Sequence, residues 1–160
     1  MKHTAAYFAI VACSIISAFG QNFGNKTIFH APLNNSYNDF GPANISGSAM
    51  GGATVTIDSR SNASQAVQFD GVDDYITYAN PVAYQKKLPL SFSVWIYMDK
   101  TAGNLPIFTT DNSTSVYGGI TLQMIDGIVY ARYGDGIAAG TGNRMTIQSS
   151  TTLTAAKWYH

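Results

Sequence analysis

Asp70-Gly71-Val72-Asp73-Asp74 is the densest group of chemistry-bearing side chains in this sequence. Asp70 and Asp73 lie either side of Gly71, and loop carboxylates are the oxygen ligands that Ca2+ takes. The same residues also suit a turn that joins two strands. Asp73 and Asp74 are the nearest approach to the carboxylate pair that glycoside hydrolysis needs. Neighbours on a strand point to opposite faces, however, so these two do not converge on one sugar. A second set is aromatic: Trp95, Tyr97, Tyr117, Tyr130, Tyr133 and Trp158, with Arg132 and Asn143 as polar companions. Rings that stack on a pyranose, with polar groups for its hydroxyls, make a sugar site. Such rings also fill the cores of β proteins. Tyr130 and Arg132, two residues apart, share one strand face, and Tyr133 takes the other. His3, His30 and His160 are the only histidines, and none has an evident setting of nucleophile, base and orienting acid.

Short alternating strands must position these groups. Ala66 to Phe69 and Asp74 to Tyr78 read as strands broken by Asp70-Gly71, where glycine permits a positive φ. Ala53 to Asp58 alternates in the same way. Leu90, Phe92, Val94, Ile96 and Met98 fall on one face of a longer strand and are expected in the core, opposite Ser91, Ser93, Trp95 and Tyr97. Ile120 to Ile125 and Ile128 to Tyr133 alternate on either side of Asp126-Gly127, which predicts a hairpin with a type I′ turn. Thr27 to Leu33 is expected as an edge strand, because Pro32 cannot donate to a ladder. Asn34 to Met50 and Gly134 to Gly142 are expected as loops. Met145 to Gln148 and Trp158 to His160 complete the pattern, with no convincing helix and no internal repeat.

Composition agrees. All nine acidic residues are aspartate, and Thr, Ser, Asn, Gly, Tyr, Ile and Val dominate, which favours strands and turns over helices. Charged residues are 11% and the formal net charge is +0. Scattered lysines and arginines, with Lys86-Lys87 the only adjacent pair, argue against nucleic acid as a partner. A chain of 160 residues suffices for one domain with a real core. The single cysteine, Cys13, excludes a disulfide framework. Met1-Lys2-His3, the apolar run from Thr4 to Phe19 and the small residues Ala18 and Gly20 have the layout of a signal peptide cleaved before Gln21. Ile10-Val11-Ala12-Cys13 is loosely lipobox-like, the alternative. The apolar run is short for a membrane span. The expected organisation is thus a signal peptide at 1–20, a flexible start at 21–26 and one domain at 27–160. The short leader and the cysteine-free remainder suit a bacterial protein that is secreted or displayed on the cell surface.

Ala66, Phe69, Asp70, Gly71, Asp73, Asp74, Tyr75 and Ile76, followed by Ser91, Phe92, Ser93, Val94 and Trp95, resemble the paired strand motifs of laminin-G-like domains in the concanavalin A-like lectin and glucanase superfamily. Ile107-Phe108, the Asp126-Gly127 hairpin and Trp158-Tyr159-His160 follow in that family's order. The resemblance spans about Ile28 to His160 and implies an all-β fold, a two-sheet antiparallel jelly-roll sandwich. In the family further strands follow the Trp-x-His segment, so the resemblance also implies a sandwich that continues past His160. Glucanase relatives use a Glu-x-Asp-x-x-Glu motif, which a chain without glutamate cannot carry. Asp111-Asn112 is placed like the calcium-binding Asp-Asn pair of pentraxins, which share the fold; a plain turn is the alternative. The expected function is an exported, non-catalytic recognition or adhesion module that binds glycan or an extracellular protein surface, with or without Ca2+. It is expected to be one part of a larger secreted protein. Its binding residues are expected to be Trp95, Tyr97, Tyr117, Tyr130 and Arg132, and its metal ligands Asp111, Asn112, Asp70 and Asp73. A ligand-free spacer domain and a polysaccharide-active enzyme are the alternatives.

Overall fold

The computed structural model describes residues 27–79, 90–111, 113 and 115–160. The expected signal peptide, the 21–26 segment, Lys86-Lys87 and Asn112 lie outside the described residues. The chain is all-β, with no α-helix among the described residues and several antiparallel sheets, a strand content consistent with a β-sandwich. It forms two compact units. The first holds the described residues up to Asp99 together with Trp158–His160, and the second is Lys100–Lys157.

In the first unit, β1 (Gly47–Met50) pairs antiparallel with β4 (Tyr75–Tyr78), and β2 (Thr54–Thr56) with β3 (Ala66–Gln68). β5 (Ile96–Met98) pairs with β10 (Lys157–Tyr159). Leu33, Ala66, Val67, Ile96 and Met98 are buried, which is the main apolar gain available to this unit. Three expectations are corrected here. Thr27 to Leu33 is not a regular strand. Its backbone is tied to a turn instead: the buried carboxylate of Asp39 accepts from the amides of His30 (2.8 Å) and Gly41 (2.7 Å), and the Phe40 amide donates to the His30 carbonyl. The end of the expected 34–50 loop is β1, because its ladder with Tyr75–Tyr78 outweighs the poor strand propensity of Gly47 and Ser48. Gly47 also lets the Tyr37 carbonyl pass where a Cβ would sit. The strand expected from Leu90 to Met98 is regular only over its last three residues, and Phe92 is 43% exposed rather than in the core.

In the second unit, β6 (Asn104–Thr109), β7 (Gly118–Ile125), β8 (Ile128–Asp135) and β9 (Arg144–Gln148) form one antiparallel sheet in that order. The hairpin is as expected. Ile125 faces Ile128 across the two-residue turn, with φ of 47° at Asp126 and 83° at Gly127, the two positive values a type I′ turn requires. The Asp126 carboxylate accepts from the Gly103 amide at 2.8 Å, and the Gly127 carbonyl from the Leu153 amide at 2.8 Å. The expected 134–142 loop is shorter, since Gly134 and Asp135 still belong to β8. β6 is an edge strand, which accommodates Pro106, and its register shifts between Pro106 and Phe108.

Strand alternation divides this sheet by chemistry. One face carries Leu105, Phe108, Leu122, Met124, Val129, Ala131, Tyr133, Met145 and Ile147. The other carries Thr109, Thr121, Gln123, Tyr130, Arg132, Arg144, Thr146 and Gln148.

Candidate functional site

The polar face of the four-stranded sheet holds a cleft of about 210 Å³. Its register places three rows of side chains. Thr109, Thr121, Arg132 and Thr146 stand side by side across all four strands. Gln123, Tyr130 and Gln148 form the next row, and Gly119, Gly134 and Arg144 the row on the other side. The glycines are required by close approach. A Cβ on Gly134 would collide with the Tyr117 carbonyl, and one on Gly119 with the Thr110 hydroxyl. Without those atoms the loop before β7 can fold down beside the sheet. Its Tyr117 carbonyl then accepts from the Gly136 amide at 2.7 Å, and its ring comes against Arg144.

Two guanidinium groups dominate the electrostatics. The Arg132 guanidinium lies 4.9 Å from the Tyr130 ring centroid, and that of Arg144 lies 4.4 Å from the Tyr117 centroid, both cation–π distances. Arg132 faces Thr146, so Arg144 is its diagonal neighbour on β9. Desolvation in the cleft and the like charge of Arg144 pull Arg132 below the ordinary guanidinium value, and the Tyr130 and Tyr117 phenols oppose this. Arg132 Nε is buried with no hydrogen-bond partner. Among the described residues neither arginine makes an ion pair. Asp111 also lines the cleft, but its carboxylate is engaged by its own loop. It accepts from the amides of Ser113 (3.1 Å) and Gly118 (3.3 Å).

Tyr117, Tyr130 and Arg132 therefore meet in one region, joined by Arg144, which sequence reasoning missed. No local signal marks Arg144: only the pairing of β8 with β9 carries it beside Arg132. Trp95 and Tyr97 belong to the first unit. There Trp95 stacks on His160 with centroids 4.9 Å apart, and Tyr97 packs on Trp158 at 5.5 Å. Ser93 Oγ lies 2.8 Å from His160 Nε2, a nucleophile-to-base distance that the sequence did not reveal. No acid is bonded to that imidazole among the described residues.

Asp70, Asp73 and Asp74 lie together in the first unit, with one carboxylate oxygen of each within 4.8 Å of the others. Asp74, which the sequence reading set aside, thus joins the expected pair. The cluster also organises its own turn. Asp70 accepts from the Val72 amide at 2.8 Å, and Asp74 Oδ2 from the Asp70 amide at 2.7 Å, while Asp74 Oδ1 is buried without a partner. Comparison with family models, with curated proteins and with solved structures finds no match to this chain.

Proposed function

We propose that this chain is an exported, non-catalytic recognition module of the laminin-G-like, jelly-roll type, and that it binds carbohydrate on the polar face of the β6–β9 sheet. The observation that carries the reading is the gathering of Tyr117, Arg132 and Arg144 with Thr121 and Gln123 around one cleft, with the Tyr130 ring against Arg132. Rings, hydroxyls, an amide and cations are the groups that orient a sugar. The all-β, antiparallel character of the chain and the motifs around Asp70 and Trp95 support the fold assignment. The leader-like N-terminus supports export. The test is a glycan array probed with the full chain and with Tyr117→Ala. A wild-type signal that falls about tenfold in the variant is expected. An empty array with the fold intact would instead support a ligand-free spacer.

A second reading adds Ca2+ at Asp70, Asp73 and Asp74. The unpartnered Asp74 Oδ1 and the convergence of three carboxylates favour it. Thermal unfolding in calcium and in excess chelator tests it, because a ligand of the folded state raises the midpoint. The same midpoint in both sinks the calcium reading.

A further inference from the structure

We propose that the cleft selects an acidic glycan, its Arg132 and Arg144 holding a carboxylate or sulfate oxyanion of the sugar. This rests on the carbohydrate reading above and adds the charge of the ligand to it.

The chain as a whole is not basic, with a formal net charge of +0, so two adjacent guanidinium groups on one face do not follow from its composition. They are diagonal neighbours across β8 and β9, and each lies against a tyrosine ring that orients it. Both arginines are half-buried, and a guanidinium nitrogen shut off from water, as Arg132 Nε is, ordinarily has an acceptor. Here the described residues supply no ion pair for either, and Arg132 Nε–H is left without an acceptor. The one carboxylate in the cleft, that of Asp111, accepts from two amides of its own loop, so the lining keeps two cations against one anion. An oxyanion would relieve the repulsion between the guanidinium groups and satisfy the orphan donor. A planar guanidinium offers two parallel N–H groups, which match the paired oxygens of a carboxylate or sulfate. Thr121, beside Arg132 in its row, and Thr109 hold hydroxyls 3.2 Å apart on the neighbouring strands, within the same cleft. The Thr109 hydroxyl is taken up by the Asp111 backbone, donating to its carbonyl and accepting from its amide, so Thr121 is the hydroxyl left to accept from the neutral remainder of a sugar. Two cations are too few for a nucleic-acid backbone, which takes a run of phosphate contacts.

The experiment is isothermal titration of the full chain with four probes: trigalacturonate, κ-neocarratetraose sulfate, neutral galactotriose and inorganic sulfate. At least one acidic oligosaccharide is expected to bind about tenfold tighter than galactotriose, since a charge-assisted bond is the difference between them. The two acidic probes separate the carboxylate from the sulfate. Affinity should fall as NaCl is raised and fall about tenfold in Arg132→Gln and in Arg144→Gln. Arg144 sits on the exposed edge strand, so its variant keeps the fold, which circular dichroism checks. Equal binding of neutral and acidic sugars, unchanged in both variants, overturns the acidic selectivity but leaves the carbohydrate reading standing. Inorganic sulfate binding as tightly as the oligosaccharides overturns the glycan in favour of a simple anion site. No binding of any sugar by folded protein overturns both readings.

Discussion

Replacing Gly127 with alanine tests the geometry that sets the cleft. Gly127 has a φ of 83°, and a Cβ there would lie 2.8 Å from Thr152 Cγ2 and 2.9 Å from the Leu153 carbonyl oxygen. Left-handed backbone costs an L-residue roughly 1–2 kcal/mol. The methyl of Thr152 can turn away, but the Leu153 oxygen is backbone. Moving it strains the Leu153 amide bond to the Gly127 carbonyl, worth about 1 kcal/mol. Together these destabilise the hairpin by about 2–3 kcal/mol. With a urea slope of about 2 kcal/mol per molar, the midpoint of Gly127→Ala should fall by about 1 M or more. Urea unfolding of the full chain followed by far-ultraviolet circular dichroism is the assay. Asp126→Asn serves as the control, since asparagine tolerates left-handed backbone and keeps an acceptor for the Gly103 amide. Its change should stay within about 0.5 kcal/mol. A Gly127→Ala midpoint equal to wild type would refute the type I′ turn. The β7–β8 register would then lose its anchor, and a slip of one residue would carry Arg132 and Tyr130 to the opposite face.

Met124 is fully buried on the apolar face of β7, so Met124→Ala should destabilise by about 2–5 kcal/mol in the same urea assay. Asp58 bears on pH. Burial pushes its carboxyl up, but the Asn62 side chain, the Asn62 and Arg60 amides and the Arg60 charge outweigh this and hold it below its ordinary 3.8. A depressed carboxylate stabilises the fold above its unfolded value and ceases to as pH falls through the folded one. Asp58→Ala should therefore be less stable than wild type at neutral pH, and the gap should close as pH falls below 3.8. A gap that widens in acid would reverse the assignment. Ser93 should resist labelling by a fluorophosphonate probe, because its imidazole partner has no acid to orient it among the described residues. Stoichiometric labelling read by intact mass would overturn the non-catalytic reading.

The β7–β8 hairpin was legible in the sequence because its determinants are local. Asp126-Gly127 selects the turn, the turn fixes the register, and alternation then assigns Tyr130 and Arg132 to one face and Tyr133 to the other. The antiparallel β character was legible for the same reason, since strand and turn residues declare themselves within a few positions. Burial was not. Phe92 and Met98 stand on the same predicted face, yet one is exposed and the other buried, because what lies opposite a side chain is set by distant segments. Gly47–Met50 has the composition of a loop and becomes a strand only through its ladder with Tyr75–Tyr78. The pairing of Arg144 with Arg132 is a tertiary fact of the same kind. Eleven residues, a glycine-rich turn among them, separate the two in the chain, and only the β8–β9 hydrogen-bond register brings their charges onto one face.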